Sequence, residues 1–276
     1  MRTTVLATLT VLIATTAACG GGAEVAPTSA VPSVSPTPVA RVDPDAARRA
    51  LQEGVEQVLT EEFTDFDALV SVDHETLEQT RGTAGAERWR ATSWLSTLGD
   101  SQSRTVLQSL SVDGQVWARP EEAPEAGGAS LGCWEAVPEG QVPGGVSALR
   151  AQEPAYVSVL GQLQAHDFTT AERIAVRGEL SSAHAVALMP AGMIAALGAD
   201  AGRSSAPVDV EIDVMDGRAN RLTLHGEDVL TALRKDGVEV DEDLGHALTA
   251  VDLTVDYTPG ADLSTLRPPG EACGRT

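Results

Sequence analysis

The sequence predicts an α+β fold in which a twisted antiparallel sheet carries helices on one face. Three observations predict it. Two C-terminal stretches alternate strictly: Val208, Val210, Ile212 and Val214 with Asp209, Glu211 and Asp213, and Val251, Leu253, Val255 and Tyr257 with Asp252, Thr254 and Asp256. A period of two puts apolar side chains on one strand face and polar ones on the other, the pattern of antiparallel sheets with one wet face. Asp113-Gly114 lies between Val106–Val112 and Gln115–Arg119, and Asp216-Gly217 lies ahead of Leu222 and Leu224. Such dipeptides favour two-residue hairpin turns. Near the start of the domain, Ala47, Leu51, Val55, Val58 and Leu59 recur at helical spacing. Asp43-Pro44 opens that helix with a capping side chain and a proline at the first helical position.

The remaining elements follow by the same periods. Phe66, Ala68, Val70 and Val72 alternate with Asp67, Ser71 and Asp73, with Leu69 breaking the pattern. Ile174, Val176 and Leu180 alternate with Arg173, Arg177 and Glu179. One helix is expected from Pro154 through Val157, Leu160 and Leu163. A second is capped by Ser182 and runs through Ala185 to Met189, where Pro190 stops or kinks it. A third runs from Glu227 to Lys235 with Val229, Leu230 and Leu233. The acidic stretch Pro120–Gly128, with its prolines and glycines, reads as a loop.

These patterns define a candidate apolar wall. Val70, Val72, Val112, Val210, Ile212, Val251, Leu253 and Val255 are expected on one side of the sheet, under helices bearing Val157, Leu160, Val186 and Leu188. Such a face closes on helices as a solid core or stays open as a pocket, and the sequence leaves both outcomes standing.

Outside the sheet and helices, residues 1–18 read as a signal peptide: Arg2, then the apolar stretch Val5–Ile13, then Thr16-Ala17-Ala18 before Cys19. The apolar stretch is shorter than the about 20 residues a membrane-spanning helix needs. Thr16-Ala17-Ala18-Cys19 resembles a lipobox, in which the cysteine is acylated; the alternative is an ordinary secretory signal that precedes a cysteine. Residues 19–42 carry Gly20-Gly21-Gly22 and four prolines (Pro27, Pro32, Pro36 and Pro38) among small side chains, the composition of a tether. One domain is expected over 43–276. The chain would then sit at the extracytoplasmic face of the cell membrane, anchored through Cys19. Cys133 and Cys273 remain, and an oxidising compartment favours a disulfide between them, against the alternative of two free thiols. The formal charge of −21 repels phosphate backbones and excludes nucleic acid as a partner class.

Catalytic and metal signals are weak. Gly128-Ala129-Ser130-Leu131-Gly132 matches the spacing of a nucleophile elbow. Yet an acidic, turn-forming stretch precedes it and Cys133-Trp134-Glu135 follows, where the chemistry needs a strand before and a helix after. His74, His166, His184, His225 and His246 fall in no zinc spacing, although His166-Asp167 could hold a metal weakly. Asp213, Asp216 and Asp241–Asp243 lack the spacing of a calcium loop. No enzyme activity, catalytic residue, metal or cofactor is expected. Trp89 and Trp94 have an odd separation, so one should face the core and the other an edge.

Four segments carry a resemblance to a known family: Ser111–Ala118, Ile174–Ser181, Pro207–Asp213 with its continuation through Asp216-Gly217 to Arg221-Leu222, and Leu253–Tyr257 ahead of Pro268-Pro269. Their order behind a lipobox and a proline-rich tether resembles the LppX/LprG branch of the LolA-like lipoprotein superfamily. The resemblance covers most of 43–269. It implies a half-open antiparallel barrel wrapped around helices, an apolar cavity, and a non-enzymatic protein that carries a lipid or lipidated ligand. Cys133, Cys273 and the acidic loop depart from the family pattern. The alternative function is an interaction or sensor lipoprotein with a filled core and an envelope protein partner.

Overall fold

A computed structural model describes residues 43–97, 100–122, 133–137, 155–170 and 174–270. Helix α1 (Pro44–Thr60) begins as its sequence dictates: the Asp43 carboxylate accepts the Asp45 N–H at 3.0 Å, and Pro44 follows. Ala47, Leu51, Val55 and Val58 are buried on one stripe, whereas Leu59 is 43% exposed. Replacing the capping group should cost about 1 kcal/mol. Asp43→Ala is therefore expected to lower the urea midpoint slightly at unchanged slope.

The strands are β1 (Phe63–Val72), β2 (Glu75–Gly85), β3 (Arg88–Thr97), β4 (Asp100–Val112), β5 (Gln115–Glu122), β6 (Glu135–Val137), β7 (Gln164–Thr170), β8 (Ile174–Ser181), β9 (Pro207–Met215), β10 (Arg218–His225) and β11 (Val251–Pro259). They form one antiparallel sheet in the order β6-β5-β4-β3-β2-β1-β11-β10-β9-β8-β7. The chain thus makes two meanders, β1 to β6 and β7 to β11, and joins them by pairing β1 with β11 from Thr64↔Pro259 to Val72↔Val251. With β6 and β7 as its two ends, the sheet is open. Together with its helices it is the α+β, twisted open-sheet architecture that the alternation predicts.

Three hairpins turn on residue pairs at positive φ: Asp73-His74 (49° and 69°), Asp113-Gly114 (53° and 78°) and Asp216-Gly217 (52° and 74°). That geometry matches the right-handed twist of the flanking strands. The latter two turns are those expected from the sequence. Asp73-His74 carries no glycine and gives no comparable signal.

The other helices are α2 (Ala155–Ser158), continued by a 3₁₀ turn over Val159–Gln162, then α3 (Ser182–Leu188), α4 (Ala191–Ala201), α5 (Gly226–Lys235) and α6 (Glu242–Thr249). Pro154 lies outside the described residues. Ser181, not Ser182, caps α3, with its hydroxyl accepting the His184 N–H. Ser182 is instead buried and donates to Ser204, which donates to Asp236. Asp236 also accepts the Ser205 and Ala206 N–H groups, and these bonds, led by that from Ser204, hold its carboxyl below the usual range. Pro190 ends α3 as expected but also stands at the entry to α4, a helix with little amphipathic period in its sequence. Helix α5 starts one residue before the expected Glu227, at Gly226, a position that only glycine fits because a Cβ there would lie 2.1 Å from the Leu248 carbonyl oxygen.

Candidate functional site

The register places the inner face of the sheet residue by residue. Ala68, Val255, Leu222, Ile212 and Val176 stand opposite one another across β1, β11, β10, β9 and β8. Val70, Leu253 and Leu224 form the adjacent row. Helix α1 lies against β7 to β10, α3 against β8 and β9, and α5 against β9 to β11. Leu51, Val55 and Val58 of α1, Val186 and Leu188 of α3, and Val229, Leu230 and Leu233 of α5 join the strand residues in one continuous core.

Most of the predicted wall is in that core. Val70, Val72, Val210, Ile212, Val251, Leu253 and Val255 are all buried there with Leu160, and Val157 is half-buried against it. Val112 is on the other side of the sheet. Leu110 pairs with Arg90, Arg90 with Thr83, and Thr83 with Asp65, so this row belongs to the face opposite Phe66 and Ala68, and Val112 lies two residues beyond Leu110. It is nevertheless buried, as is Leu263 of the C-terminal segment. That segment is anchored on two strands: the Gly260 N–H donates to the Phe63 carbonyl of β1, and Arg88 Nη1 of β3 donates to the Ser264 carbonyl at 2.7 Å. An apolar residue on a sheet with both faces partly covered does not reveal which face it takes.

A groove of about 550 Å³ opens beside this core, between α1 and the 3₁₀ turn. Leu51, Val55, Leu59, Leu160 and Leu163 line it, with Arg48, Gln52, Glu56 and Gln164 among its polar residues. Its size falls in the usual range for small-ligand sites. Leu160 is the member of the predicted wall that lines it, and the exposed Leu59 belongs to the same groove.

Two buried polar groups tie the sheet to its helices, Arg218 to the residue that follows α1 and Tyr257 to α2. Arg218 donates from Nε to Glu61 Oε1 at 2.8 Å, from Nη2 to Glu61 Oε2 at 2.7 Å and from Nη1 to the Tyr257 carbonyl at 2.6 Å. The bonds from Arg218 hold the Glu61 carboxyl below its ordinary range against the opposing effect of burial. The Tyr257 hydroxyl donates to the Tyr156 carbonyl at 2.6 Å, and burial pushes its pKa far up, so it stays neutral. Neither group has a periodic signature; the Arg218–Glu61 partnership spans 157 residues.

The inner face changes character across β2 to β4. There it carries the buried hydroxyls of Thr80, Ser93, Ser109 and Ser111, and Thr80 and Ser93 lie 2.8 Å apart. Trp89 is buried on this inner face, whereas Trp94 is half-buried on the other beside Arg81, at 5.9 Å from the guanidinium. Asp216 sits in its turn, Asp241 caps α6 through the Leu244 N–H, and Asp213 stands opposite Arg221 in the sheet. His166 and Asp167 fall on β7 rather than in a loop, with a register shift between Ala165 and Asp167. Among the described residues no three His, Cys, Asp or Glu side chains are grouped as a metal site. Cys133 is disulfide-bonded. Cys19, Cys273, Ser130 and most of the acidic loop lie outside the described residues, although β5 carries Pro120 to Glu122 as strand. No helix of the described residues is long and apolar enough to cross a membrane.

No protein-family model matches the sequence, and no curated protein matches it. Solved structures do match. LprF from Mycobacterium bovis is 10% identical with a TM-score of 0.45, covering 84% of this chain and 100% of its own. The lipoprotein LppX from Mycobacterium tuberculosis is 8% identical with a TM-score of 0.34, covering 78% of this chain and 94% of its own. A DUF1329 family protein from Desulfovibrio piger is 10% identical with a TM-score of 0.31, covering 79% of this chain and 92% of its own. These values describe a likeness of fold alone, and they say nothing of what this chain binds.

Proposed function

We propose that this chain is a non-enzymatic envelope lipoprotein that binds a lipid or acylated ligand. In this reading residues 1–18 are removed on export, Cys19 is acylated, and 19–42 tether the 43–276 domain to the extracytoplasmic face of the cell membrane. The observation that carries the binding role is the groove beside α1, whose leucine and valine walls meet polar side chains at the rim. An amphiphile fits that arrangement: a chain against Leu51, Val55 and Leu160, a headgroup beside Arg48, Gln52 and Gln164. Each methylene buried there contributes about 0.8 kcal/mol before association costs. Val70, Val72, Val210, Ile212, Val251, Leu253 and Val255 would extend the wall only where the helices part from the sheet. Of the other two cysteines, an acylated Cys19 is unavailable, which leaves Cys273 as the partner of Cys133. That bridge would stabilise the fold by up to about 5 kcal/mol in the chain-entropy account.

Two experiments test this. In cells fed an alkyne fatty acid, the wild type should take up label and Cys19→Ser should not; equal labelling would remove the anchor. Native mass spectrometry of the full lipoprotein, released from mild detergent, should show lipid beyond the acyl anchor. Gly161→Trp should lose that lipid while staying folded, because a Cβ at Gly161 meets only Leu59 Cδ1, at 3.5 Å, and a large side chain there fills the groove. Retention of lipid by the variant, or its absence from the wild type, would count against the groove. A second reading, an interaction lipoprotein with a filled core, is favoured by one observation: Ile212, Leu253 and Val255 are wholly buried against helices.

A further inference from the structure

The face of the sheet away from the helices carries a second and larger cleft, of about 750 Å³. It runs across β11, β1, β2, β3 and β4, with Leu266 of the C-terminal segment and Trp134 beside it. Four inter-strand spacings of about 4.8 Å make this floor roughly 19 Å wide. Its chemistry differs from that of the groove beside α1.

The register orders the polar side chains of this floor into two rows. Asp256, Asp67, Arg81, Thr92 and Gln108 make one, and Thr258, Asp65, Thr83 and Arg90 the next. The carboxylates are already engaged. Asp67 accepts from Gln79 at 2.9 Å and Arg81 at 2.7 Å, Asp256 accepts from Arg221 at 2.6 and 3.0 Å, and Asp65 accepts from Thr83 at 2.6 Å. They therefore lack the open anionic field that a metal ion or a basic peptide would select, but keep lone pairs for hydroxyl donors. Trp134 is half-buried, and the Arg119 guanidinium lies 4.9 Å from its ring centroid, with Arg119 itself donating to Gln108 at 2.7 Å. The indole is thus a fixed apolar surface at the end of a polar floor.

We infer that this cleft binds a neutral oligosaccharide. A pyranose presents an apolar ring face that stacks on indole and a rim of hydroxyls that both donate and accept. The two rows supply amide, guanidinium, hydroxyl and carboxylate partners at strand spacing. Formal charges of Asp65, Asp67 and Asp256 against Arg81 and Arg90, within a chain of net charge −21, disfavour a polyanionic glycan. The inference stands apart from the acyl groove, since no residue lines both.

The test is calorimetry on the full lipoprotein in mild detergent with tetrasaccharides of glucose, mannose, galactose and N-acetylglucosamine, and with tetragalacturonate as the anionic control. At least one neutral tetrasaccharide should bind saturably. Trp134→Ala should weaken it tenfold or more, and Met215→Ala, an exposed residue of β9 outside the cleft, should leave it unchanged. Because Trp134 borders a short edge strand, Thr92→Trp provides a second block from the middle of the floor, with circular dichroism confirming that both variants fold. Absence of binding by all four neutral sugars at millimolar concentration would overturn the inference. So would unchanged binding in folded Trp134→Ala and Thr92→Trp, or equal binding of tetragalacturonate.

Discussion

Arg218→Ala should destabilise the fold by about 3–5 kcal/mol, because it leaves a largely buried carboxylate without its counter-charge. The Arg218 side chain is 8% exposed and that of Glu61 19%. The variant also strips the Tyr257 carbonyl of a donor at 2.6 Å. Three parts of the chain meet at this guanidinium: the residue after α1, the start of β10, and β11. Arg218→Lys should recover only part of the loss, since an ammonium cannot make the two parallel bonds to Glu61 and the third to Tyr257. The pair also sets an acid limb. Glu61 has a folded pKa held below its unfolded value, so its contribution is complete above the ordinary glutamate pKa of about 4.3. It declines as pH falls through the lower folded value. Urea midpoints measured from pH 7 down to pH 3 should therefore fall more steeply in the wild type than in Arg218→Ala. Parallel curves would mean that Glu61 is not held by Arg218.

How legible the fold was varies along the chain for physical reasons. The strands β9 and β11 alternate cleanly because one face meets helices and the other is polar, exposed on β9 except at the buried Asp213 and half-buried along most of β11. The same holds for β1, and Leu69 breaks its pattern as a half-buried residue on the opposite face. Strands β2 and β3 show no apolar alternation because most of their inner residues are small or hydroxylic: Thr80, Gly82 and Ala84 on one, and Ala91 and Ser93, next to the larger Trp89, on the other. Gly82 is fixed by packing, since a Cβ there would lie 2.5 Å from the Phe66 ring and 2.4 Å from the Arg90 carbonyl oxygen. Helix α4 is small and apolar nearly throughout, which leaves no amphipathic period to read, and Gly198 adopts φ 75° within it. The groove was half legible: Leu160 was in the expected wall, and Leu51, Val55 and Leu59 were in the expected helix, but only packing brings them together. The outer cleft was not legible, because its two rows are assembled from five strands and their periodic signal is merely polar.

Val210→Trp is the second substitution with a large expected effect, and it separates the two readings of the inner face. Val210 is 3% exposed, belongs to the continuous core, and its Cγ2 would lie 3.8 Å from a Cβ built on Gly178 of the neighbouring strand. A wall of an open cavity accepts an indole by losing ligand volume. A filled core accepts it only by shifting helices or straining rotamers, at about 3 kcal/mol or more for so large an insertion. The packing around Ile212, Leu222 and Val255 predicts the second outcome: a markedly lower urea midpoint rather than a stable, lipid-free protein. Gly161→Trp supplies the contrast, since the same side chain enters from an exposed turn and should leave the midpoint nearly unchanged. Equal stability of Val210→Trp and wild type, with loss of bound lipid, would instead show that the helices part from the sheet and that the ligand wall reaches the inner face. If Val210→Trp is destabilised while Gly161→Trp alone loses lipid, binding is confined to the groove beside α1, and the inner face serves to hold α1 in place.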